Sequence, residues 1–202
     1  HGFVELDLAF AQLGPGLVEQ DQGLVDLVAA CQHRDQDFQL AEAAGPVFVM
    51  CDSSAGALVL CACAQLKREG QRLPDRLVCL SVLTDLAMTG RSHVSNAEAD
   101  PLFGPQAVMH KIFHYLQGAN PAQATASPFW DAPTALPDSL FIVGSTEVLR
   151  DDTLHYAEKA ERAGTRVKVA VYEDAPHVFP LVPGLPEADQ AIAEIADFLR
   201  AG

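Results

Sequence analysis

Four short, nearly unbroken apolar runs punctuate this chain: PVFVM at 46–50, RLVCLSVL at 76–83, SLFIVGS at 139–145 and RVKVAVYE at 166–173. Each is too short for a core helix and too continuously apolar for a strand with one wet face, so each reads as a strand buried on both faces. The segments around them are patterned as helices. Ser54 to Gly70 is rich in Ala, Leu and Cys and ends in KREG, with cations in the last turn and glycine at the stop. RDDTLHYAEKAERAG at 150–164 opens on acids and closes on glycine, and PEADQAIAEIADFLRAG at 186–202 has the same helical spacing. DQGLVDLVAACQ adds an amphipathic helix around residues 20–32.

Strand and helix in alternation predict an α/β fold, a mostly parallel sheet with helices on both faces. The long polar stretch from about Gly90 to Leu136 contains a helix in QAVMHKIFHYL and several proline-bearing turns, and reads as a lid-like or cap-adjacent excursion (90–136). With no internal repeat and a length of 202 residues, 1–202 is expected to be a single domain.

Composition narrows the function. Hydrophobic residues make up 49% and charged residues 20%, as in a soluble globule, and the formal net charge of -14 argues against a nucleic-acid partner, which needs a basic surface. No apolar run approaches the roughly 20 residues of a membrane span, and HGFVELDLAF lacks the pattern of a signal peptide. The five cysteines, Cys31, Cys51, Cys61, Cys63 and Cys79, show no repeated CxxC spacing, so no metal site or disulfide framework is expected and a reducing cytoplasm fits best.

In parallel α/β sheets, ligand sites gather beyond the carboxyl ends of strands. Ser53, Glu147 and His177 each stand just past such an end. A serine hydroxyl needs a base to take its proton, histidine titrates near the working pH, and a carboxylate on its other nitrogen fixes its tautomer. A sharp strand-to-helix turn at Ser53 would also aim the Ser54 N–H at a developing oxyanion. The competing role for Ser53, or for Asp52, is to cap the following helix. His110 and His114, four apart, have a spacing that can hold a metal, but their apolar neighbours favour an ordinary helix face, and Cys61 and Cys63 read as core.

Beyond about residue 20 the chain resembles the hormone-sensitive-lipase-like branch of bacterial α/β-hydrolase esterases. The resemblance is carried by CDSSAGALVLCACA, LTDLAMTG, YLQGANP, ASPFW, VGSTEVLRDD and APHVFPLVPGLPEA, in that order. It implies an α/β-hydrolase fold, Ser53 as nucleophile, His177 as general base and acid, Glu147 as the orienting acid with Asp151 as the fallback, and no cofactor. It also implies a small-molecule carboxylic ester substrate of short to medium acyl chain, cleaved through an acyl-enzyme.

Two departures from the family pattern stand out. The G-x-S-x-G elbow reads Cys51-Asp52-Ser53-Ser54-Ala55, and Cys51 is expected to tilt the turn. The HGGG loop that completes the oxyanion hole has a single counterpart in His1-Gly2-Phe3, which makes Gly2 a further oxyanion candidate, and the first strands have no counterpart, as in an amino-terminally truncated or reduced fold. These departures define the alternative, a catalytically impaired α/β-hydrolase-like protein or fragment acting as a binding or oligomerisation module, self-associating through an exposed sheet edge.

Overall fold

The computed structural model describes residues 45–132 and 135–201. The helix read over 20–32 and the oxyanion candidate Gly2 lie outside the described residues.

The apolar runs become the strands β1 (Phe48–Asp52), β2 (Arg76–Leu80), β3 (Asp138–Gly144) and β4 (Val167–Tyr172), all parallel and adjacent in the order β1-β2-β3-β4. Helix α1 (Ser53–Arg68) connects β1 to β2, and α4 (Arg150–Arg162) connects β3 to β4. Between β2 and β3 lie the short α2 (Ser92–Ser95), α3 (Pro105–Leu116) and a 3₁₀ turn at Pro128–Trp130, while α5 (Pro186–Arg200) follows β4.

Because side chains alternate across a strand, the continuous apolar runs feed two cores at once. On one face Val49, Cys79 and Phe141 meet Leu60 and Cys63 of α1 and Tyr156 and Ala160 of α4. On the other, Val78, Leu140 and Ile142 meet Phe179 and Ala191 and Ile195 of α5. Phe141, Leu140, Ile142 and Leu77 are wholly buried, each worth about 1.5–3 kcal/mol relative to exposure.

β4 departs from the expectation of a strand buried on both faces. Ala170 and Tyr172 pack toward α5, whereas Val169 and Val171 remain 43% and 47% exposed. It is the last strand of the described sheet, and α4 packs chiefly on its neighbour through Phe141.

A third cluster forms beyond the carboxyl ends of the strands. Leu83 and Leu86 after β2, Val108 and Ile112 of α3, Ala57 of α1 and Val148 and Leu149 before α4 pack together there. The excursion between β2 and β3 therefore lies over the end of the sheet at which parallel α/β folds bind ligands.

Candidate active site

β1 ends at Asp52 and α1 begins at Ser53 with no residue between them, a turn possible only with an unusual backbone. Ser53 supplies it with φ of 49°, in the left-handed region where a residue with a Cβ costs about 1–3 kcal/mol. The turn is held by the Leu83 N–H, which donates to the Ser53 carbonyl at 2.9 Å. Asp52 occupies the N-cap position but makes no side-chain cap bond. The Ser53 hydroxyl points instead to His177, so the helix-capping role is not the one it plays.

The glycine-poor elbow is accommodated without loss of this turn. Cys51 is buried in the core, its sulfur 3.7 Å from that of Cys79 on the neighbouring strand. The bond to Cys79, followed by burial, pushes the Cys51 thiol well above its ordinary range, which leaves it protonated and inert. α1 comes closest to the segment after β2 at Gly56, where an added Cβ would lie 2.3 Å from Val82 Cγ1 and 2.5 Å from its Cβ. Gly56→Val should therefore destabilise the fold by about 2–3 kcal/mol, lowering the melting temperature by roughly 5–10 °C. A calorimetric midpoint equal to the parent's would mean that α1 and the segment after β2 are not in this contact.

His177 follows β4 on a short turn and is 5% exposed. Ser53 Oγ donates to its Nε2 at 2.9 Å, and its Nδ1 donates to Glu147 Oε2 at 2.8 Å. Glu147, with 0% exposure, is a buried carboxylate whose second oxygen is also satisfied: Oε1 accepts from Ser81 Oγ at 2.7 Å and from the Gly144 N–H at 2.6 Å. The two loops bearing acid and base are tied together, since Thr146 Oγ1 donates to the Ala175 carbonyl at 2.8 Å and the Asp174 N–H to Ser145 Oγ at 2.9 Å. They approach so closely at Gly144 that an added Cβ would lie 1.9 Å from the Ala175 carbonyl oxygen.

Sequence reasoning missed several residues that hold this arrangement. Ser81 bridges the two loops, donating to Glu147 and accepting from the Val178 N–H at 3.0 Å. It stands one residue past β2 as Ser53 stands one past β1, so the strand-end rule that found Ser53 also reaches it. Asn96 Nδ2 donates to the carbonyls of Ser145 and Glu147, both at 2.9 Å, and Asp100 Oδ2 accepts from the Val148 N–H at 2.9 Å. Phe103 packs edge-on against the His177 ring, with centroids 4.8 Å apart. Nothing local in the sequence marks these last three.

The fallback acid, Asp151, is directed elsewhere. Its carboxylate accepts from the Ser92 N–H at 3.0 Å and pairs with Arg150. Burial works against its charge, but the Ser92 bond and Arg150 hold its carboxyl below the usual range. Asp152 fastens the loop after β2, accepting from the Thr84 and Asp85 N–H groups at 3.0 and 2.9 Å while His93 Nε2 donates to its other oxygen at 2.9 Å. His110 and His114 are exposed on α3 with ring centroids 4.6 Å apart, and among the described residues no group of three potential metal ligands is found.

A cavity of about 220 Å³ opens beside Ser53 and Ser54. Its walls are largely apolar, with Leu58 and Leu86 on one side and Val108 and Ile112 of α3 on another. Ser54 is the second residue of α1 and lines the cavity, and its N–H is among the first four in a helix that have no intrahelical acceptor. The arrangement can take a proton from Ser53, hold the resulting imidazolium against a buried carboxylate, and sequester an apolar chain next to the oxygen.

A parallel α/β sheet with serine, acid and histidine beyond the ends of its first, third and fourth described strands defines a class, and the chain belongs to it: the model of the α/β-hydrolase fold family matches residues 21–181. The chain is 34% identical over 154 residues to an esterase from Acinetobacter venetianus, covering 75% of this chain and 51% of that protein. It is 35% identical over 157 residues to an acetyl-hydrolase from Streptomyces hygroscopicus, covering 77% and 52%. The chain thus spans about half the length of the curated relatives it matches. Among solved structures, it is similar to an esterase from the bacterial hormone-sensitive lipase family at a TM-score of 0.76 and 38% identity, over 81% of this chain and 56% of that one. A hormone-sensitive lipase from a metagenome library aligns at a TM-score of 0.73 and 31% identity, over 76% and 53%. These likenesses place the chain in the hormone-sensitive-lipase-like branch of bacterial α/β hydrolases.

Proposed function

We propose that the chain carries the active site of a serine-dependent carboxylic ester hydrolase acting on short to medium acyl esters. The observation that carries this reading is the pair of bonds converging on one imidazole, 2.9 Å from Ser53 Oγ and 2.8 Å from the buried Glu147 carboxylate. The esterase and acetyl-hydrolase names of its relatives support the same class of reaction.

In this reading Ser53 Oγ attacks the ester carbonyl carbon as His177 Nε2 takes its proton. The carbonyl oxygen becomes an oxyanion, stabilised by the Ser54 N–H; each such donor is worth about 10²- to 10³-fold in rate where one has been removed from a serine hydrolase. Collapse breaks the bond to the alcohol oxygen, which leaves with the proton from His177, and the acyl group stays on Ser53. Water then gives a proton to His177 and its oxygen attacks the acyl carbon, releasing the carboxylic acid and returning the proton to Ser53.

No metal or organic cofactor enters these steps. Among the described residues no helix is long and apolar enough to cross a membrane. Among the described residues Cys51, Cys61, Cys63 and Cys79 form no disulfide, which fits a reducing compartment such as the cytoplasm. The alternative of an impaired binding module rests on the missing HGGG loop and first strands as well as on the missing elbow glycines; the strained turn at Ser53, which forms without those glycines, favours the hydrolase reading on the last point.

The covalent intermediate provides the test. Mixing with para-nitrophenyl butyrate, quenching early and sequencing the peptides by mass spectrometry should find a butyryl group on Ser53. Turnover accompanied by an acyl group on another residue would overturn the assignment.

A further inference from the structure

α3 buries Val108 and Ile112 but also brings a lysine to the cavity. Val108, Lys111, Ile112 and Tyr115 share one face at helical spacing and line the cavity, while Met109 and Phe113 on the outward side are 55% and 71% exposed. An ordinary surface helix turns its lysines outward and its Met and Phe inward. Here a cation is on the cavity side.

Lys111 is the one charged side chain on a wall otherwise formed, among the described residues, by apolar groups, Ser53, Ser54 and the Tyr115 ring. Its ammonium sits 4.8 Å from the centroid of the Phe103 ring, and Phe103 packs edge-on against His177. The ring face attracts the cation and holds it against the cavity wall. Among the described residues Lys111 enters no ion pair. With a formal net charge of -14 the chain repels anions at long range, and the ammonium on the cavity wall is a local positive charge against that background.

Resting on the hydrolase reading above, we propose that the cavity selects esters bearing a carboxylate, or a similar anion, at the far end of the group that fills it, and that Lys111 is the specificity-determining residue. A monoester of a dicarboxylic acid has this chemistry: an apolar methylene chain against Val108 and Ile112, and a terminal anion within reach of the ammonium. The interaction is solvent-accessible, so it is worth a modest factor and weakens with salt.

The test compares esters matched in shape and differing in charge. One pair varies the acyl half, para-nitrophenyl hydrogen adipate against its terminal amide; the other varies the alcohol half, para-carboxyphenyl acetate against para-carbamoylphenyl acetate. The ratio of kcat/KM for anionic over neutral ester should fall about two- to fivefold in Lys111→Ala in at least one pair. It should recover in Lys111→Arg and fall further in Lys111→Glu. Ratios unchanged by Lys111→Ala in both pairs would overturn the proposal.

Equilibrium binding of the same esters to Ser53→Ala, with and without Lys111→Ala, decides the point independently of turnover. A Lys111-dependent ratio there supports the anionic preference even if hydrolysis fails, and its absence there refutes it even if hydrolysis is rapid.

Discussion

Ser53→Ala should lower ester hydrolysis by about 10⁴- to 10⁶-fold, the range seen when the nucleophile of a serine hydrolase is removed. The substitution deletes one oxygen and leaves everything else in place. The cavity, the Ser54 N–H and the His177–Glu147 pair persist, and what activity they retain comes from binding and oxyanion stabilisation alone. Ser53→Gly should be equally inactive yet more stable by about 1 kcal/mol, because the φ of 49° that strains a residue with a Cβ costs glycine little. Steady-state kinetics and a melting curve on the two variants separate chemistry from folding. A Ser53→Ala protein hydrolysing at a tenth of the parental rate would place the nucleophile elsewhere.

Glu147→Gln should cost about 10³- to 10⁴-fold in kcat while preserving the fold. The carboxylate accepts three hydrogen bonds, from His177 Nδ1, Ser81 Oγ and the Gly144 N–H. An amide of the same shape can keep the last two through its oxygen, but then turns its NH₂ toward His177. A donor facing Nδ1 forces the ring proton onto Nε2, so that Nε2 no longer accepts the proton of Ser53. The analogous acid-to-amide change in a serine protease lowers kcat by about 10⁴ through this wrong tautomer. It also removes the negative charge that stabilises the imidazolium. Asp151→Asn, by contrast, touches a carboxylate committed to Ser92 and Arg150, and should leave kcat within a few fold. Equal losses in the two variants would return the orienting role to the pair of acids jointly.

The sheet was legible because its strands are continuous apolar runs, and β2 and β3 bury both faces. Continuous runs such as VMCD and LFIVG have few other uses, and the alternation with helices leaves parallel pairing as the natural topology. The exposure of Val169 and Val171 was not legible, since an edge position depends on what lies beyond the strand. Ser53, Glu147 and His177 could be picked out by a rule that is local in sequence, the position just past a strand end. Ser81 obeys the same rule and was passed over because serine there has no partner in sequence; its partners, Glu147 and Val178, come from two other loops. Asn96, Asp100 and Phe103 brace those loops from an excursion about 50 to 80 residues away, through contacts that only tertiary packing creates.

Cys51 and Ala55 stand where the motif has glycine, and the turn at Ser53 forms with both in place. Cys51 packs in the core beside Cys79, and the tight contact between α1 and the segment after β2 falls at Gly56 against Val82.

The most direct test of a working nucleophile at Ser53 needs no knowledge of the substrate. A fluorophosphonate reacts only with a serine whose proton is being taken by a neighbouring base, and peptide mass spectrometry locates the adduct. A nucleophilic Ser53 activated by His177 predicts stoichiometric labelling of Ser53 in the parent protein and its disappearance in His177→Ala. A folded parent protein left unlabelled at Ser53, or labelled equally without His177, would contradict it.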